Sequence, residues 1–73
     1  MKDRIYVNKK GDYFIVSYYV MTDYDYYGLD MPRYDIHGKV DGHTFSSTGY
    51  TDLGYAINAG KYRIGDNHAI RVL

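Results

Sequence analysis

The chain has 73 residues, and its nine lysines and arginines balance nine aspartates, so the formal net charge is zero. That balance excludes the overall positive field of a nucleic-acid binder and the negative field of a DNA mimic. The absence of cysteine excludes disulfides and thiolate metal sites, and it fits a reducing, cytoplasmic setting.

Taken in chain order, residues 2–8 alternate and predict a half-buried strand, with Ile5 and Val7 on one side and Arg4, Tyr6 and Asn8 on the other. Asn8-Lys9-Lys10-Gly11 reads as a turn, with Gly11 in the left-handed position. Residues 12–21 predict the strongest strand. Phe14, Val16, Tyr18 and Val20 share one face; Tyr13, Ile15, Tyr19 and Met21 share the other. Two apolar faces require a central strand, or one covered by a partner. Residues 22–32 break the pattern at Asp23, Asp25, Gly28, Asp30 and Pro32 and read as a loop, with Pro32 ending any pairing.

A further strand is expected over 33–40. Asp41-Gly42 predicts a tight hairpin with 43–50, in which Gly38 faces Phe45. Tyr34, Ile36, Val40 and Phe45 form its dry side; Asp35, His37, Lys39, Thr44, Ser46 and Thr48 form its wet side. One helix follows, with Thr51 as N-cap, Asp52 in the first turn, Gly60 as C-cap, and Leu53, Ala56 and Ile57 as the buried stripe. Short strands at 61–64 and 68–73, joined by Gly65-Asp66-Asn67, close the chain. The expected fold is α+β: one domain over 1–73, a small antiparallel sheet of five to six short strands, and one short helix on one face. Its predicted core is Val16, Ile36, Phe45, Leu53, Ile57 and Ile70.

No segment carries a catalytic signature, and the chain reads as no enzyme. Asp23, Asp25 and Gly28 match a calcium loop at its first, third and sixth positions, but Tyr27 and Tyr34 stand at the fifth and twelfth, so no metal is expected. The Asp41-Gly42 register puts His37 and His43 on opposite faces, where they cannot share an ion. Asp35, His37 and Ser46 can meet on the wet face, yet nothing there suggests a pocket or oxyanion hole. No cofactor is expected.

The signal that remains is tyrosine, eleven residues of it. Tyrosine offers a rigid apolar ring with a polar tip and is enriched where proteins grip other molecules. Tyr18, Tyr19, Tyr24, Tyr26 and Tyr27 cluster with Asp23, Asp25 and Asp30. Tyr18 and Tyr34 share a face with core residues. Tyr19, Asp23, Tyr24, Asp25, Tyr26, Tyr27 and Asp30 are therefore the expected partner-binding residues, with rings as anchors and aspartates for a basic protein surface. The alternative is a single-strand nucleic-acid binder in which Tyr6, Tyr13 and Tyr19 stack bases among Lys2, Arg4, Lys9 and Lys10. Charge balance and the missing glycine–aromatic motif of an RNA-recognition sheet count against it.

Brevity, the absence of cysteine and of a catalytic motif, and the Tyr/Asp-rich segment Thr22–Pro32 on a compact sheet give the chain a general character. In it the chain resembles small phage- and mobile-element-encoded inhibitors of host machinery, anti-CRISPR proteins among them. The resemblance implies stoichiometric binding to a host protein, often at a nucleic-acid-binding surface. A small core, stabilising by only about 3–5 kcal/mol, and an open sheet edge predict a homodimer. No apolar run is long enough to span a membrane, and Met1-Lys2-Asp3-Arg4 leads into no signal-peptide core.

Overall fold

The computed structural model describes residues 3–23, 28–65 and 68–73. Five antiparallel strands lie in the order β4-β3-β2-β1-β5, with one helix packed on one face. They are β1 (Arg4–Val7), β2 (Tyr13–Asp23), β3 (Leu29–Val40), β4 (His43–Tyr50), the helix α1 (Leu53–Arg63) and β5 (Ile70–Arg71). β2 is central, as its two apolar faces require. Gly11 has φ +89° in the first turn. Asp41 and Gly42 have φ +50° and +80°, the double left-handed geometry of a type I′ hairpin. Val40 pairs with His43 and Gly38 with Phe45, in the expected register.

The core lies between α1 and the even-numbered face of β2. Phe14, Val16 and Ile36 are fully buried there, joined by Tyr6, Phe45, Ala56 and Ile64. Leu53 and Ile57 pack partly buried against them. Phe14 is the centre. Tyr6 stacks on it at 4.8 Å between ring centroids, and Gly60 of the helix presses its backbone onto the ring. A methyl group at Gly60 would lie 2.7 Å from Phe14 Cζ. From the neighbouring strand Gly38 approaches so closely that a methyl there would lie 2.7 Å from Phe14 Cα.

Five expectations are corrected. First, Tyr6, expected as a surface ring in the stacking alternative, is buried under α1, while Ile5 and Val7 lie on the opposite face. The ring is the larger apolar body, and pairing with Phe14 puts it under the helix. Second, residues 22–32 are not simply a loop: β2 runs to Asp23 and β3 starts at Leu29, with Val20 opposite Pro32. Backbone direction alternates along β3 from the hairpin-closing Val40, which places the Pro32 nitrogen on the side away from β2. β4 has ended there, so no hydrogen bond is lost. Third, Asp52 rather than Thr51 is the N-cap, its carboxylate accepting the Tyr55 N–H at 2.8 Å. Fourth, Gly60 does not end the helix. The buried stripe continues through Gly60 and Ile64, so 61–64 is not a strand, and Gly65 (φ +66°) is the left-handed residue after the end. Fifth, Ile70 is 67 % exposed and outside the core. The turn at 65–67 falls partly outside the described residues.

Asp12 ties two turns together. One carboxylate oxygen accepts the Asp41 N–H at 3.1 Å and the other the Asn8 side-chain amide at 3.2 Å. The Asp41 backbone bond, then the Asn8 bond, holds its carboxyl below the usual range. A carboxylate with a lowered folded pKa stabilises above its unfolded value of about 3.9, and the contribution is lost as pH falls through the folded value. Asp12→Asn is therefore expected to flatten the acid limb of stability against pH, read from urea midpoints.

Two glycines of α1 give opposite predictions for the same change. Gly60→Ala should destabilise by about 1–3 kcal/mol through the clash with Phe14. Exposed Gly54→Ala should be neutral or stabilise by up to about 1 kcal/mol through helix propensity. Urea unfolding of both variants checks the pair; equal effects would remove Gly60 from its assigned contact. Phe14→Ala, at about 3–5 kcal/mol, should leave little folded protein.

Candidate protein-binding surface

Beyond the Tyr18–Tyr34 pair, β2 and β3 continue as a two-stranded arm. Its described pairs run from Tyr19↔Arg33 through Val20↔Pro32, Met21↔Met31 and Thr22↔Asp30 to Asp23↔Leu29. β1 stops opposite Val16 and β4 pairs no further along β3 than Tyr34. The molecule is accordingly elongated, 45 × 21 × 16 Å. Its accessible surface of 5158 Å² exceeds the about 4,700 Å² expected of a compact monomer of this mass.

Neither face of the arm is dry. Val20 is 52 %, Met21 47 % and Leu29 58 % exposed. Thr22 donates its hydroxyl to Asp30 at 2.9 Å, and Arg33 reaches back to the Pro32 carbonyl at 2.9 Å, the carbonyl left free on that side. The arm is rooted in a row of tyrosines. Tyr18 and Tyr34 are 5.5 Å apart, Tyr34 pairs with Tyr50, and Tyr50 lies 5.9 Å from Tyr55 at the start of α1.

Of the expected partner-binding residues, Tyr19 and Asp30 lie on the arm but on opposite faces. Asp23 closes β2. Tyr24, Asp25, Tyr26 and Tyr27 lie outside the described residues. Tyr19 is half-buried on the face opposite α1. Desolvation, then the nearby Asp35 carboxylate and its hydrogen bond, raises the phenol pKa. Asp35 also accepts the Gly49 N–H at 3.1 Å. It is thus turned to Tyr19 and Gly49, while His37 and Ser46 pair across β3 and β4 on open sheet. Among the described residues no group of three or more His, Asp or Glu side chains could hold a metal ion.

The alternative stacking set is dispersed. Tyr6 is core, and Arg4 lies on the helix-covered face with its Nε buried and unpaired. A second tyrosine surface was missed. Tyr55 and Tyr62, 68 % and 83 % exposed, line a groove of about 470 Å³ with Tyr50, Asn58, Ala59 and Arg63. Their seven-residue spacing puts them on one helix flank, but that pattern shows only once the helix runs past Gly60. No described helix is long and apolar enough to cross a membrane. No protein-family model, curated protein or solved structure matches the chain.

Tyr19 makes a prediction at high pH. A phenol with a raised folded pKa stabilises below its unfolded value of about 10, and the contribution is lost as pH rises through the folded value. Asp35→Asn should lower the Tyr19 pKa and reduce the loss of stability between pH values on either side of about 10. Urea midpoints that fall equally in both proteins would show that Asp35 does not act on Tyr19.

Proposed function

We propose that this is a non-catalytic binding protein that engages a protein partner through the β2–β3 arm and the Tyr/Asp segment at its end. The observation that carries this is an arm with apolar side chains on both faces and no described element packed on either. A two-stranded ribbon alone is marginal in water. Exposed Val20, Met21 and Leu29 forgo burial free energy that a partner surface would recover. The charge of the segment, with Asp23, Asp25 and Asp30 against Arg33, favours a basic partner. Tyrosine anchors with carboxylates beside them suit such a surface.

The resemblance in general character to small mobile-element-encoded inhibitors extends this reading to a host defence or nucleic-acid-processing protein, in the cytoplasm. A basic nucleic-acid-binding surface on that protein is the chemistry an acidic tyrosine-rich arm would cover. Direct nucleic-acid binding is less favoured because burial of Tyr6 removes one of its three stacking rings.

The test pairs stability with binding. Changing Tyr24, Tyr26 and Tyr27 together to Ser should leave the melting temperature nearly unchanged and abolish retention of the partner recovered by pull-down from host lysate. Each ring is expected to contribute about 1–3 kcal/mol to binding. A variant that stays folded and still binds would move the function off the arm. Tight, strongly salt-dependent binding of random single-stranded DNA would favour the nucleic-acid reading instead.

A further inference from the structure

β1 stops opposite Val16, and among the described residues no strand takes its place along β2 over residues 17–22. The backbone there has a definite direction. Ile5 donates its N–H to the Leu73 carbonyl at 3.2 Å and accepts the Val72 N–H at 2.8 Å, so it faces away from β2. Direction alternates along a strand. Arg4 and Tyr6 therefore face β2, and their partners Val16 and Phe14 face β1. Continued along β2, that parity turns the N–H and C=O of Tyr18, Val20 and Thr22 to the open side, while Tyr19 and Met21 bond to β3. Pro32 agrees with it: a residue without an N–H stands opposite Val20, where the two strands exchange no hydrogen bond. The edge thus presents three donors and three acceptors, with about 7 Å from one outward residue to the next.

Nothing in residues 17–22 blunts this edge. Exposed edges are ordinarily guarded by proline, lysine or a bulge, and this segment has neither residue and an unbroken register with β3. It is rich in Tyr, Val and Thr, which favour pairing. Val20 and Met21, on its two faces, are both exposed.

We propose that the outer edge of β2 over residues 18–22 is a strand-docking site, which takes an extended basic segment of a partner protein as an added strand. The inference rests on the arm as the binding surface and names how the partner sits on it. A row of unpaired backbone groups selects another extended backbone, and the exposed side chains beside it select the sequence. Val20 and Met21 call for apolar side chains or the aliphatic stems of lysines. Charge sets the rest. Asp30 lies on the α1 side of the arm beside Thr22, whose hydroxyl it accepts at 2.9 Å. Asp23 ends the strand, and the one cation of the arm, Arg33, is engaged with the Pro32 carbonyl. A basic strand is the complement. A second copy of β2 is not. Paired on itself about Val20, the edge would bring the Asp23 end of each copy to Ser17 of the other, beside Asp3, which precedes β1.

The probe is a capped nine-residue peptide of alternating valine and lysine, added at millimolar concentration to the isotope-labelled full chain. Before addition, the amides of Tyr18, Val20 and Thr22 should exchange with solvent at least about tenfold faster than those of Tyr19 and Met21. With the peptide bound, the first three should slow at least about tenfold and show NOEs to the peptide backbone. The same peptide N-methylated at its five central residues cannot donate from either edge and should do neither. Aspartate in place of lysine should weaken binding at least about tenfold. Val20→Pro removes an N–H that β3 does not use, so it should keep the circular dichroism and lose the peptide at least about tenfold. Val20→Ala keeps that N–H and should keep the protection of Tyr18 and Thr22. The measurements on the unaltered chain stand whether or not the proline variant folds.

No protection at millimolar peptide would overturn the proposal. So would equal binding of the N-methylated peptide, a folded proline variant that binds as well as the original, or protection of the edge that rises with chain concentration alone. The arm and its edge are separable. If the tyrosine triple variant loses the partner recovered by pull-down and Val20→Pro keeps it, the arm stands and strand pairing falls. If both folded variants keep it, the arm itself is the wrong surface.

Discussion

The contact between the Phe14 ring and the backbone of Gly60 sets the position of everything else. A helix normally stands off a sheet by the length of its side chains. Here the side chain is missing at one point, and the ring fills the space. That fixes the helix over β2 and brings Lys61 within 5.9 Å of the Tyr6 ring centroid and Arg63 within 4.7 Å of that of Phe45. The two cations thus lie over aromatic faces while suiting the negative end of the helix dipole. Gly38 makes room for the same residue from the next strand, at its Cα and Cβ rather than at the ring. Two glycines give up side chains so that one phenylalanine can be enclosed, the economy a core this thin demands.

The same constraint divides the molecule in two. The helix reaches from Phe14 back to the Tyr50–Tyr55 pair, and where it ends the arm begins. Strand residues under the helix are dry on one face; those beyond it are wet on both. The arm's backbone order comes from its ladder and from the tyrosine row at its root. Its side chains stay available because no helix is long enough to cover them.

Much of the fold was legible in residue pattern. Asp41-Gly42 set a register, Gly11 marked a turn, and the two apolar faces of residues 13–21 marked the central strand. The failures share a cause. Tyr6 alternates with Ile5 and Val7 and shares its side with Arg4, which suggests an available ring, yet burial follows the larger apolar body. Gly60 was read by its conformational freedom, when its role is the absence of a Cβ against a residue far away in sequence. Asp30 and Pro32 were read as breakers, which holds for a strand with neighbours on both sides. Beyond the end of β4 a missing N–H costs nothing. Of the expected binding residues, Tyr19 and Asp30 lie on the arm but look in opposite directions, and Tyr24, Asp25, Tyr26 and Tyr27 lie outside the described residues. The Tyr55–Tyr62 flank escaped notice because its spacing needs a longer helix than the pattern suggested.

Pro32 has a consequence for how copies can associate. A sheet grows into a fibre only if each molecule offers two strand edges, one to give and one to receive. Along the arm, Pro32 leaves a gap in the outer edge of β3. At the far side of the sheet, the irregularity opposite Tyr34–Ile36, with Gly49 at φ +84° and its N–H turned to Asp35, interrupts β4. β5 is only two residues long. The outer edge of β2 beyond Val16 is left as the one long uninterrupted ladder among the described residues. A molecule with a single such edge can pair once and then stops, so the chain can carry an exposed apolar ribbon without polymerising through it.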